Sequence, residues 1–289
     1  MAIDYLTSGA TNMNTGSWVL IGGGAGTGIV TAATLVVSSA TAQTVAGFDG
    51  SVAGIGQISY MDIRPPFSGT IGSAASPLKI GASTRVWNAA SGGTLFLQAA
   101  NDTTGGSSAN TIALYQHSSP GTASLLGGTF TQVQVGNGSV IIGASAVVTT
   151  LYVTGGTVTI DDNATAITTM NITGSGKVIC RRQVTTASLS GSAQCTYDDT
   201  GTITTLSAFA GSNWTHMNGN ITTATISGIF NAGNLKADAT MGGSSLTWYN
   251  TATYVSPAVG GAALTLSNET KILGGYQTAI TSGSGVLVP

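Results

Sequence analysis

The sequence predicts an all-β chain built as a parallel β-solenoid with turns of about 18 residues, behind a separate β-rich N-terminal region. Three observations predict it. Helix signals are nearly absent: β-branched residues, Gly and Ser dominate, and no long stretch sets apolar residues at helical spacing among good helix formers. A β-branched or aromatic residue followed by Thr recurs through the second half of the chain. A Gly follows that motif seven or eight residues later almost every time, where a strand would turn a corner.

The recurring segments are FTQVQVGNG, VTTLYVTGG, ITTMNITGS, VTTASLSGS, ITTLSAFAG and ITTATISGI, anchored at Phe130, Val148, Ile167, Val184, Ile203 and Ile221. The anchors follow one another at nearly constant spacing, with a variation of one place either way. Three residues after the anchors lie Val133, Leu151, Met170, Ala187, Leu206 and Ala224; two further on lie Val135, Val153, Ile172, Leu189, Ala208 and Ile226. Those two positions share a face, because strand side chains alternate. The corner glycines are Gly138, Gly155, Gly174, Gly191, Gly211 and Gly228. A unit this short cannot bury its own apolar face and must stack on the next, giving columns of like side chains about 4.8 Å apart. Crossover chirality favours a right-handed coil. A left-handed coil is the runner-up, because a turn of this length is close to three hexapeptides.

Upstream, GGTLFLQAAND and NTIALYQHSS read as strands. Downstream, LTW at 246–248 and LTL at 264–266 repeat the same spacing after an insertion. The solenoid is therefore expected over residues 86–289, clearest over 130–238. Residues 1–85 hold a glycine run and three of the six prolines, and are expected to cap the solenoid or to contact a partner. Within them, IGGGAGTG has neither G-x-G-x-x-G nor a P-loop Lys, so it reads as a loop between strands.

Composition narrows the function classes. Charged residues make up 6% of the 289, against a usual value of about 25%. A hydrophobic share of 42% argues against disorder, and no apolar run approaches the length of a spanning helix, so no membrane is expected as a partner. MAIDYLTSG lacks the basic start and apolar core of a signal peptide, so no export by that route is expected. A net charge of −2 offers no general attraction for nucleic acid. His117 and His216 are the only histidines and have no ligand-spaced companions, while Cys180 and Cys195 read as small, reduced, buried residues. No metal, cofactor or catalytic residue is expected. Trp18, Trp87, Trp214 and Trp248 read as core or interface anchors before sugar platforms.

The charge distribution holds one local surprise. KVICRRQ carries Lys177, Arg181 and Arg182, three of the eight basic residues. Asp161 and Asp162 precede Asp198 and Asp199 by two turns, which is about 9.6 Å on a solenoid. Inverting glycosidases separate their carboxyl groups by about 6.5–9.5 Å, so glycan cleavage needs a test. Phase decides against it: Asp162, Arg181 and Asp198 each lie fourteen residues after their own anchors, which puts the arginine between the carboxylates. Arg182, Asp199 and Lys236 share the next column, while Asp161, Cys180, Tyr197 and His216 share the one before. Asp162, Arg181, Asp198, Arg182 and Asp199 therefore read as a structural ion ladder, whose larger role is to fix register.

The stretch YMDIRPPFSGTIGSAASPLKIG, followed by GGTLFLQ, resembles segments of bacteriophage structural proteins. Together with the Gly, Ser and Thr-rich solenoid, it is similar to β-helical capsid cement or decoration proteins. The resemblance implies a non-enzymatic homotrimer on the outer capsid surface of a virion, bound to the major capsid protein between capsomers and stabilising the head. A more distant resemblance is to tail-spike or tail-fibre components that bind or cleave glycans, with a groove around Asp162, Arg181, Asp198 and His216. The chain lacks the Gly-His-Gly and Arg-Ile-Lys patterns of polygalacturonase-like solenoids.

Overall fold

The structure, a computed structural model, describes residues 57–75, 77–80, 83–99 and 111–231, together with six short strands outside them. The IGGGAGTG loop, Trp18, Lys236 and the LTL segment lie outside the described residues, as does the Trp248 side chain. The described residues form a helix-free parallel β-solenoid whose strands alternate between two sheets, called A and B here. The chain divides into two compact units, residues 1–150 with 156–159, and residues 151–155 with 160–289.

The first unit contains β1 (Ile3–Leu6), β2 (Thr31–Val37), β3 (Thr44–Val45), β4 (Gln57–Ile63), β5 (Thr70–Ile71), β6 (Leu78–Ile80), β7 (Ser83–Asn88), β8 (Thr94–Ala99), β9 (Thr111–His117), β10 (Thr122–Val135) and β11 (Ser139–Ile142). In sheet A, β1, β2, β4, β7, β9 and the second half of β10 pair in parallel in that order. In sheet B, β5 and β6 both pair with β8, which pairs with the first half of β10 and so leads to β11. The segments GGTLFLQAAND and NTIALYQHSS supply β8 and β9, strands as expected, but on two sides of one coil: β8 lies in sheet B and β9 in sheet A. The boundary expected near residue 85 falls within β7, which pairs with β4, Arg85 opposite Tyr60 and Trp87 opposite Asp62.

Two strands, β12 (Ala146–Val153) and β13 (Thr157–Ile160), contribute residues to both units. The second unit continues with β14 (Ile167–Ile172), β15 (Lys177–Cys180), β16 (Val184–Leu189), β17 (Gln194–Tyr197), β18 (Thr202–Ala208), β19 (Asn213–His216), β20 (Asn220–Ile226), β21 (Ile229–Asn231), β22 (Ser245–Tyr249), β23 (Thr253–Val255) and β24 (Thr270–Leu273). Even-numbered strands stack in sheet A and odd-numbered strands in sheet B. Met170, Ala187, Leu206 and Ala224 form one inward column, and Ile172, Leu189, Ala208 and Ile226 the next, as the repeat predicts. Sheet B answers with Val178, Cys195, Trp214 and Phe230. Leu246 faces Thr270, so the coil after β22 is longer than LTL at 264–266 implies.

The anchors are buried too, which strict alternation forbids for residues three apart. In β14 the burial runs inward at Ile167, outward at Thr168 and Thr169, then inward at Met170. The strand bends at the Thr pair, so the anchor and both later columns reach the same core. Corners are held by glycines with left-handed backbones: Gly174, Gly191 and Gly211 have φ of 58°, 70° and 87°. A Cβ on Gly211 would lie 2.7 Å from the Gly191 carbonyl oxygen, so close approach and backbone angle both demand glycine. At one other corner the left-handed residue is Gly156 rather than Gly155, while Gly228 has no left-handed backbone; Gly219, with φ of 78°, lies at the opposite corner, between β19 and β20.

Candidate functional site

The charged corner follows sheet B. In β15, Lys177 and Ile179 point out while Val178 and Cys180 point in. Arg181 continues the alternation outward, and its N–H donates to the Ile160 carbonyl (3.1 Å). Its guanidinium lies 4.0 Å from Asp161, with both side chains about half exposed (52% and 45%). Arg181 thus pairs with the neighbour of the expected Asp162, and it does not fork between Asp162 and Asp198. Two such exposed charges are worth less than about 1 kcal/mol.

Arg182 turns inward and is fully buried. Its Nε–H donates to the Asp161 carbonyl (3.2 Å), and its own carbonyl accepts from the Cys180 thiol (3.1 Å). Burial pulls its pKa down, while Cys180, Asp161 and Asp162 favour the charged form. It is therefore a buried strut of the corner. Asp198 extends the strand ladder by donating its N–H to the Cys180 carbonyl (2.8 Å). The Asp199 carboxylate closes the next turn, accepting from Gly201 N–H (2.7 Å) and Tyr197 O–H (3.4 Å). Burial raises its pKa, and the nearby Asp162 and Asp198 charges add to the rise against those hydrogen bonds.

Inside the corner the shared column is real: Cys180 faces Tyr197, which faces His216. Tyr197 and His216 stack with ring centres 5.6 Å apart and planes at 2°. Trp214 stacks on Tyr197 at 5.6 Å, and Phe230 covers His216 at 6.0 Å. His216 Nε2–H donates to the Gly219 carbonyl (3.2 Å), which leaves Nδ1 to accept from the Trp214 indole (3.5 Å). That arrangement needs a neutral ring, and burial lowers its pKa to about 4. The first unit repeats the device: buried His117 reaches the Gly121 carbonyl through Nε2 (3.3 Å) and meets Tyr115 O–H (3.1 Å) and the Asn88 amide (3.3 Å) through Nδ1.

These placements remove His216 and Trp214 from any surface groove, since both are wholly buried. Cys180 and Cys195 are free and buried as expected; Cys195 faces Val178, diagonal to Cys180. Burial pushes the Cys180 thiol up to about 12, so it is no nucleophile near neutrality. Among the described residues no group of three or more His, Cys, Asp or Glu could hold a metal ion. Among them, too, no helix is long and apolar enough to cross a membrane.

A second charged place, absent from the sequence reading, lies on the outer face of sheet A in the first unit. Asp62, almost buried, accepts from Arg64 and Arg85, each at 2.8 Å. The Arg85 guanidinium lies 5.7 Å from the ring centres of both Tyr60 and Trp87. Trp87 donates its indole N–H to Ser118 Oγ (3.2 Å), and beyond it Gln116 donates to Gln134 (2.9 Å). The contributing segments YMDIR and STRVW pair in register, Tyr60 opposite Arg85, across a coil longer than the repeat, so a search at the repeat spacing passes over them.

No family model, curated protein or solved structure matches this chain.

Proposed function

We propose that this chain is a structural virion protein: a capsid cement or decoration protein that binds the major capsid protein between capsomers as a homotrimer and stabilises a phage head. The observation that carries the reading is where the chemically capable residues go. Both histidines, both thiols and Arg182 are buried within the solenoid, each bonded or packed as scaffold. The solenoid thereby supports a passive, rigid element better than a catalytic one. Its Ser and Thr-rich outer faces suit a protein that covers another surface.

The test is location and load. Mass spectrometry of separated heads and tails should find the chain in heads, and heads assembled without it should release DNA at lower temperature. Recovery in tails only, with turnover of a host-surface glycan, would replace the proposal with the tail-component reading.

A further inference from the structure

The chain has few charged residues, and many of them lie in the two places just described. Their signs are opposite. On sheet A of the first unit, Arg64 and Arg85 cover one carboxylate, leaving a net charge of +1 with donors outermost; Arg64 is 48% exposed and Asp62 only 5%. At the corner of the second unit, Asp161, Asp162, Asp198 and Asp199 outnumber Arg181 and the buried Arg182, leaving −2, with Lys177 at the far end of β15. Each place also has an apolar companion: Tyr60, 42% exposed, beside the arginines, and Ile179, 39% exposed, beside the aspartates.

We propose that these are the two halves of one self-association surface, in which the Tyr60, Arg64, Arg85 and Trp87 cluster of one copy docks on the Asp161, Asp162 and Ile179 corner of a second copy. Tyr, Trp and Arg are the residue types that dominate binding energy at protein interfaces. Arg85 is already held by Asp62 and by two rings, with its Nε buried and lacking a hydrogen-bond partner, so little side-chain freedom is lost on docking. The complementary charge is present on the same chain, which favours a second copy over a foreign acidic partner. Two different patches make a head-to-tail contact, and a ring forms where the rotation closes. The inference rests on the self-assembly in the proposed function. It is tested on purified protein, so absence from heads would sink the decoration reading without touching it.

Sedimentation equilibrium of the full chain should show an oligomer at about 0.05 M salt that weakens at about 0.5 M. Arg64→Glu and Asp162→Lys should each weaken self-association by about tenfold or more, and their combination should restore it. Should Arg64→Glu fail to fold, Tyr60→Ala with Asp162→Lys carries the same test, each weakening association. A monomer at every concentration, an oligomer indifferent to the single changes, or a double variant no better than either single change would overturn the proposal.

Discussion

At the scale of single residues, burial separates charges that the sequence treats alike. Arg181 and Arg182 are adjacent, yet one lies half in solvent 4.0 Å from Asp161 and the other is fully enclosed. An exposed pair is screened and worth less than about 1 kcal/mol. Removing the buried guanidinium instead leaves the Asp161 carbonyl without its donor and the long stem without its packing. Arg182→Ala should therefore cost about 2–4 kcal/mol of folding stability, and Asp161→Asn less than about 1 kcal/mol, compared by chemical denaturation. Equal costs would mean that the ion pair, not the buried strut, holds the corner. The column arithmetic foresaw that Arg181, Asp162 and Asp198 share a place on neighbouring coils. Column position alone does not give the direction of each side chain; the alternation of β15, carried two residues past Cys180, puts Arg181 outward and Arg182 inward.

Among elements, the repeat was legible where one coil takes one motif. From β14 to β20 the sheet A partners advance in step with the anchors: Met170 faces Ala187, Ala187 faces Leu206, and Leu206 faces Ala224, all of them buried. Toward the N-terminus the advance grows: Met61 faces Val86, which faces Tyr115. Coils of unequal length keep the same pairing physics but lose the periodicity that reveals it, and the Asp62 cluster was hidden for that reason. The corners carry a testable constraint. Gly211 combines φ of 87° with a 2.7 Å approach of its would-be Cβ to the Gly191 carbonyl. Gly211→Ala should lower stability by about 1–3 kcal/mol, whereas Ala193→Gly, which introduces no clash, should cost about 1 kcal/mol. Indistinguishable melting of Gly211→Ala and wild type would show that the corner yields.

For the whole molecule, the two histidine clamps predict how it responds to acid. Folded His216 has a pKa of about 4, below the 6.5 of a free imidazole, because burial disfavours its charged form. Below pH 6.5 the unfolded chain takes up a proton that the folded chain refuses, so the contribution is complete above 6.5 and is lost as pH falls toward 4. For His216 the loss amounts to about 3 kcal/mol across that window, and His117, also lowered by burial, adds in the same direction. The neighbours do not cancel it. Tyr197 and Cys180 are raised by burial and stay neutral throughout. Asp199, also raised, opposes the trend because the folded state accepts its proton first; its partial exposure keeps that effect small. Melting temperature should therefore fall from about pH 7 to about pH 4 more steeply than carboxylate titration alone produces. His216→Phe keeps an aromatic ring between Tyr197 and Phe230 but has nothing to protonate, so it should lower stability at neutral pH and flatten the pH slope. An unchanged slope in that variant would place the acid sensitivity elsewhere and leave the clamp a purely packing device.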